Sequence, residues 1–279
     1  MTPQLQVIVD SACSIKREEN LGVDIIPLRI LIGGKEYLDG VDIDSNLFYE
    51  LLEKEKEFPK TSLPIMVDVE SLVNKYLENG DKVIIVCLSS KISATFSVMK
   101  STFNNENVKV IDSRVAVGGM RFIVQEILDN IDEPLDVIEQ KVNDLIPRIR
   151  ILAVPETLDY LLKGGRLKHS QWMIGKLLRL YPIITFREGE VFAESKQIGM
   201  ARAMQYIAKK IASEQIDLKY GFIGAYTKDR KNLDVLAEKI KHTKNIDFTL
   251  YDDLIPSLAA HWGPNAFGAI YVAKSATKK

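Results

Sequence analysis

The chain has 279 residues, 46% of them hydrophobic, with 37 Lys plus Arg against 38 Asp plus Glu and a formal net charge of −1. That length suits one large domain or two modest ones with a real core, and the near-zero charge excludes a general phosphate-neutralising surface for nucleic acid. No apolar run reaches bilayer-spanning length, and the opening MTPQLQVIVDSAC enters a strand without a basic leader. Cys13 and Cys87 lack metal-clip spacing. These features predict a cytoplasmic protein with reduced thiols and no bound metal.

The apolar runs LQVIVD and IIPLRILI predict two opening strands, the second continuing into a hairpin at Gly33 and Gly34. Asp44 or Ser45 can cap a helix through NLFYELLEKEKEF, whose charged end reads as a solvated face. A second helix, DVESLVNKYLENG, follows the loop PKTSLP and stops at Gly80. Regular alternation then begins: strand KVIIVCL, helix ISATFSVMKSTF, strand VKVID, helix RFIVQEILDNI. Continuous apolar strands separated by helices argue for a doubly wound, mostly parallel sheet covered on both faces.

PLDVIEQKVNDLIPRI reads as a linking helix, and the texture changes near Arg150. Beyond it come a strand, a short helix and a glycine-stopped turn in RILAVPETLDYLLKGGRL, then a hairpin with REGE at its tip. The helix ARAMQYIAKKIA, the strand YGFIGAYT, the helix LDVLAEKIK and the strands DFTLYD and FGAIYVA complete the chain. Hairpins mixed with crossovers predict a second α/β domain with a mixed sheet. The expected boundaries are 1–150 and 151–279.

Ligands of doubly wound sheets lie beyond the carboxyl ends of the strands, where DSACS, LSSKIS and IDSR fall. Helix N-termini with free amides and hydroxyls favour an anion. Ser93 is expected in the first turn after its strand, and Thr61 and Ser62 in a loop bent by Pro59 and Pro64. The same residue types also cap helices and close turns with no ligand at all. His261, in LAAHWGPNAFG, is held by a rigid Gly-Pro kink and suits either a donor to a carboxylate or phosphate or a core histidine bonded to a carbonyl. His242 and His169 read as solvated. No nucleophile elbow, Walker loop, zinc-protease helix or dinucleotide fingerprint is present, so the chain offers anion-holding features and little nucleophile chemistry. Between Tyr160 and Arg187 there is no acidic residue, while Lys163, Arg166 and Arg179 fall inside the window. Such a stretch is either a chance fluctuation or a docking face for an acidic partner.

Taken in order, VIVDSACS, IPLRILIGGKEY, KTSLP, VIIVCLSSKISATF, VKVIDSR, LDYLLKGGRL, PIITFREGEV and HWGPNAFG resemble the DegV family of fatty-acid-binding proteins over nearly the whole chain. The resemblance implies two α/β domains with a ligand tunnel between them and one long-chain fatty acid as ligand, without a cofactor. It places the carboxylate at Thr61 and Ser93, with Ser62 adjacent and His261 a further contact. The tail would gain about 0.8 kcal/mol per buried methylene. It also implies a non-catalytic carrier that presents the acid to a separate ATP-dependent fatty acid kinase, the acyl-phosphate product feeding phospholipid synthesis. Lys163, Arg166 and Arg179 would then dock the kinase, and membrane contact would be at most transient. Two positions depart from the family pattern, Ala94 for glycine after the key serine and Asn265 for glycine in the closing motif.

Two enzyme readings compete. The first is an acyl-ester or thioester hydrolase using Ser93 or a cysteine with His261. The second is a kinase subunit related to dihydroxyacetone kinases, which needs a histidine placed to form a hemiaminal with a ketone.

Overall fold

The structure is a computed structural model that describes residues 4–55, 57–167 and 180–276. The chain forms two compact units, Met1–Ile146 with Ile255–Ser257 and Pro147–Leu254 with Leu258–Lys279. It is a mixed α/β fold with a parallel sheet in the first unit and a mixed sheet in the second.

The first unit is built on four parallel strands in the order β2-β1-β6-β7: β1 (Leu5–Asp10), β2 (Asp24–Ile26), β6 (Lys82–Cys87) and β7 (Val108–Asp112). β6 is buried at every position after Lys82, which is why it reads as a continuous apolar run rather than an alternating one. One face of the sheet, with Ile8, Val83, Ile85 and Val110, packs on Val69 and Val73 of α2 (Met66–Glu78) and Met99 of α3 (Thr95–Thr102). The alternate residues Val7, Val9, Ile84 and Val86 are equally buried. They belong to the opposite face by the two-residue strand period, the side of α4 (Gly118–Leu128) and α5 (Leu135–Leu145). Each such aliphatic side chain contributes about 1.5–3 kcal/mol by leaving water.

IIPLRILI is two strands, not one. Its first residues join β2, while β3 (Arg29–Ile32) starts a separate antiparallel sheet in the order β4-β3-β5. Pro27, which has no N–H to give to a ladder, lies between them. The expected hairpin at Gly33 and Gly34 joins β3 to β4 (Lys35–Leu38), and both glycines have positive φ, 58° and 72°, as a tight two-residue turn requires. The third strand, β5 (Lys60–Ser62), lies where a loop was expected. Asp44 caps α1 (Ser45–Lys54) by accepting from Leu47 N–H at 2.8 Å.

The second unit has one sheet in the order β10-β9-β8-β13-β11-β12. Its strands are β8 (Ile149–Val154), β9 (Leu180–Arg187), β10 (Glu190–Ile198), β11 (Phe222–Tyr226), β12 (Leu250–Asp253) and β13 (Phe267–Val272). The chain's last strand therefore sits inside the sheet, antiparallel to both β8 and β11, and all six of its residues are buried. Among the described residues of this sheet only β11 and β12 pair in parallel. Apolar faces of α7 (Met200–Ser213) and α8 (Lys231–Lys244) pack with this sheet around Phe222, Phe267 and Tyr271. Phe222 stacks on Phe248 with ring centroids 4.6 Å apart, an arrangement that adds about 0.5–1.5 kcal/mol to burial. Two short helices also occur among the described residues, α6 (Asp159–Lys163) and α9 (Pro256–Trp262). Among the described residues no helix is long and apolar enough to cross a membrane.

Candidate functional site

β1, β6 and β7 are neighbours, so the loops leaving their carboxyl ends lie side by side. Each outer strand ends in an aspartate that holds the central loop. Asp10, at the end of β1, accepts the Leu88 N–H at 2.7 Å and the Ala12 N–H at 3.1 Å. Asp112, at the end of β7, accepts the Ser90 N–H at 3.0 Å and the Ser90 hydroxyl at 2.6 Å. Ser89 is fully buried; its N–H donates to the Val115 carbonyl at 2.9 Å and its Oγ accepts the Lys91 N–H at 3.3 Å. Ser89 and Ser90 are thus committed to shaping the loop.

Ser93 remains. Helix α3 starts at Thr95, so Ser93 precedes the helix rather than lying in its first turn, and its own N–H is bonded to the Ser89 carbonyl at 3.1 Å. Its Oγ accepts the Thr95 N–H at 3.2 Å and lies 2.9 Å from Thr95 Oγ1. The residue is half-buried, and its hydroxyl is held in place by these two contacts.

The strand β5 separates Thr61 from Ser62. Thr61 pairs with Ile30, which is fully buried, and Ser62 pairs with Arg29. Directly opposed residues share a face of the sheet and successive ones do not. Thr61, half-buried, therefore lies on the inner face with Ile30, and Ser62 is exposed on the other.

In the second unit His261 lies on α9 against the turn that ends α6. An alanine Cβ at Gly164 would lie 2.5 Å from His261 Nδ1, so glycine is required for the close approach. Gly165 has a positive φ, 72°, and closes the helix as the sequence predicts. Burial pushes the imidazole down to about 3, with the Arg166 guanidinium adding to the effect. His261 is thus neutral at physiological pH and presents one N–H and one lone pair. Arg166 is itself half-buried, donates to the Gly164 carbonyl at 2.5 Å, and is held below its ordinary range by burial. Lys163 is exposed, and Arg179 lies outside the described residues.

The loop after His261 is fixed from β11. Thr227, fully buried, donates through Oγ1 to the Gly263 carbonyl at 2.7 Å and accepts the Ala266 N–H at 2.8 Å. Asn265 takes the left-handed φ of 58° and donates to Glu156 at 2.8 Å. Asparagine is among the side chains that best tolerate this conformation, so the backbone survives the loss of the family's glycine.

Both cysteines are fully buried. Burial, and then the charges of Asp10 and Asp112, push the Cys87 thiol well above its ordinary range, the wrong direction for a nucleophilic thiolate. No group of three His, Cys, Asp or Glu suited to a metal occurs among the described residues. Sequence reading missed Asp10, Asp112, Gly164 and Thr227. The aspartates carried a signal, because each ends an apolar strand and is followed by serine, in VDS and IDS.

Fold and loop together define an α/β protein with ordered hydroxyls at the strand ends of its parallel sheet and both cysteines buried. The chain belongs to the DegV family of uncharacterised proteins, whose family model matches residues 4–274. A DegV domain-containing protein of Caldanaerobacter subterraneus is 29% identical, the match covering 97% of this chain and 99% of that one. Among solved structures, a fatty-acid-binding DegV family protein of Thermus thermophilus superposes with a TM-score of 0.85 at 23% identity, covering 97% of this chain and 99% of that one. DegV of Bacillus subtilis, described as a fatty acid binding protein, gives a TM-score of 0.80 at 24% identity, covering 98% and 100%. A stearic-acid-binding protein of Eubacterium ventriosum gives 0.83 at 21%, covering 97% and 98%.

Proposed function

We propose that this protein binds one long-chain fatty acid and carries it without transforming it. Ser93 carries the reading, as an ordered, half-buried hydroxyl beside the strand ends whose neighbours Ser89 and Ser90 are already spent on the loop. A carboxylate accepts only, and Ser93, Thr61 and neutral His261 are the donors proposed to hold it. Ser62 is a weaker candidate because strand alternation turns it from Thr61. The tail gains about 0.8 kcal/mol per buried methylene, so a chain of ordinary length is held strongly even after ordering costs.

The carrier presents the carboxylate to a separate ATP-dependent fatty acid kinase for acyl-phosphate formation, with Lys163 part of the docking face. Support for this step comes from the absence of any sequence motif for nucleotide chemistry in the chain and from the exposed position of Lys163. The same reading places the protein in the cytoplasm.

The test is extraction of natively purified protein with organic solvent, followed by mass spectrometry. A stoichiometric fatty acid supports the carrier reading and gives the chain length. An empty extract from protein that also fails to take up added fatty acid overturns it. Turnover of a chromogenic ester that is lost on Ser93→Ala would instead establish the hydrolase.

A further inference from the structure

Thr95 is fully buried at the start of α3. Its N–H donates to Ser93 Oγ at 3.2 Å, and its hydroxyl lies 2.9 Å from the same oxygen. Among the described residues the Thr95 hydroxyl has no other hydrogen-bond partner. The contact between the two hydroxyls has two proton arrangements. If Ser93 donates to Thr95, the Thr95 proton is left buried without an acceptor, which is a costly state. If Thr95 donates to Ser93, every group is satisfied, and Ser93 Oγ accepts twice from one residue. A serine oxygen has two lone pairs and one proton. With both lone pairs taken, only the proton remains for an outside partner.

We propose that Thr95 is a positioning residue that makes Ser93 a donor only, so that the site selects a headgroup in its ionised, acceptor-only form. The inference rests on the fatty-acid reading for the identity of that headgroup. A donor-only serine cannot accept from a protonated carboxylic acid, so it favours the carboxylate over its conjugate acid. The chain of donors from Thr95 through Ser93 to the ligand also polarises the last bond. The arrangement weighs against Ser93 as a nucleophile, because attack requires a lone pair that is already engaged.

The experiment uses [1-13C]palmitic acid bound to the full chain and follows its carboxyl 13C shift against pH. Thr95→Val should raise the pKa of the bound acid by a few tenths of a unit, the size expected when a charge-assisted bond loses about 10–30% of its strength. Thr95→Ser should restore the wild-type value, which a purely structural role for the threonine methyl would not do. An unchanged pKa in Thr95→Val with lipid bound, or a Thr95→Ser value matching Thr95→Val, overturns the proposal. Should Thr95→Val not fold, hydroxyl-proton exchange in the lipid-free wild type decides. A protected Thr95 proton beside a rapidly exchanging Ser93 proton supports the assignment, and the reverse order refutes it. Failure of the wild type to take up any labelled acid refutes the fatty-acid reading, whichever hydroxyl proton is protected.

Discussion

Replacing Gly164 with alanine tests whether His261 is held by close contact with the backbone. Gly164 has φ −70° and ψ −10°, ordinary right-handed geometry, so alanine loses nothing in conformation. It should even gain about 0.4–1 kcal/mol by restricting the unfolded chain. The new Cβ, however, would lie 2.5 Å from His261 Nδ1, 3.1 Å from His261 Cε1 and 2.8 Å from the Tyr160 carbonyl oxygen. That carbonyl accepts the Gly164 N–H at 2.9 Å, so it resists movement and the imidazole must yield. Overpacking of this kind costs about 1–3 kcal/mol. The net loss of about 1–2 kcal/mol should lower Tm by roughly 2–8 °C in a chain of this size.

Gly165 is the control. Its φ is +72° and nothing lies within 4 Å of its Cβ position, so alanine there costs only the left-handed conformation, about 1–2 kcal/mol. The two variants should therefore melt alike and differ in function. Gly164→Ala should shift the ring resonances of His261 and weaken fatty acid retention, while Gly165→Ala should do neither. Wild-type melting and ring shifts in Gly164→Ala, or equal loss of retention in both variants, would refute the reasoning.

Three further outcomes are expected. Burial, with a smaller contribution from Asp39, raises Asp10 to about 7, so the folded state binds a proton that the unfolded state has released between about pH 4 and 7. Stability from this group is therefore full at low pH and lost as pH rises, by about 4 kcal/mol in total at about 1.36 kcal/mol per unit. Asp10→Asn cannot titrate, so its deficit against wild type in urea denaturation should shrink from pH 4 to 8; a constant deficit would show that Asp10 does not titrate in that range. Thr227→Val should orphan the Ala266 N–H and the Gly263 carbonyl at a cost of about 1–3 kcal/mol each, with Thr227→Ser restoring most of the melting temperature. Lys163→Glu should reduce acyl-phosphate formation by a partner kinase and leave fatty acid retention intact, and parallel loss of both would remove Lys163 from the docking face.

Much of the architecture follows from local pattern. β1, β6 and β7 are legible because a strand covered on both faces must be apolar throughout, and the Gly33–Gly34 turn because only residues that accept positive φ fit it. Asp44 and Gly165 mark helix ends for equally local reasons, a side-chain acceptor and a left-handed closure. The division of IIPLRILI between two sheets was less accessible. Pro27 announces a break, but whether the chain resumes in the same sheet depends on partners far along the sequence. β5 shows the same limit, since KTS becomes a strand only by pairing with β3, about thirty residues earlier. β13 takes an interior place in its sheet for the same reason.

The candidate site divides similarly. The sequence by itself determined that hydroxyls cluster after an apolar strand and that His261 sits at a rigid kink, because residue type and turn chemistry are written locally. Only the tertiary structure decided which hydroxyl is available. The buried Ser89 hydroxyl accepts from Lys91 N–H in its own loop, Ser90 is held by Asp112 from a neighbouring strand, Thr61 and Ser62 are parted by strand alternation, and Thr95 engages Ser93 through its N–H and hydroxyl. Hydrogen-bond capacity is a property of a residue, but whether that capacity is already spent depends on neighbours that only folding brings within 3 Å.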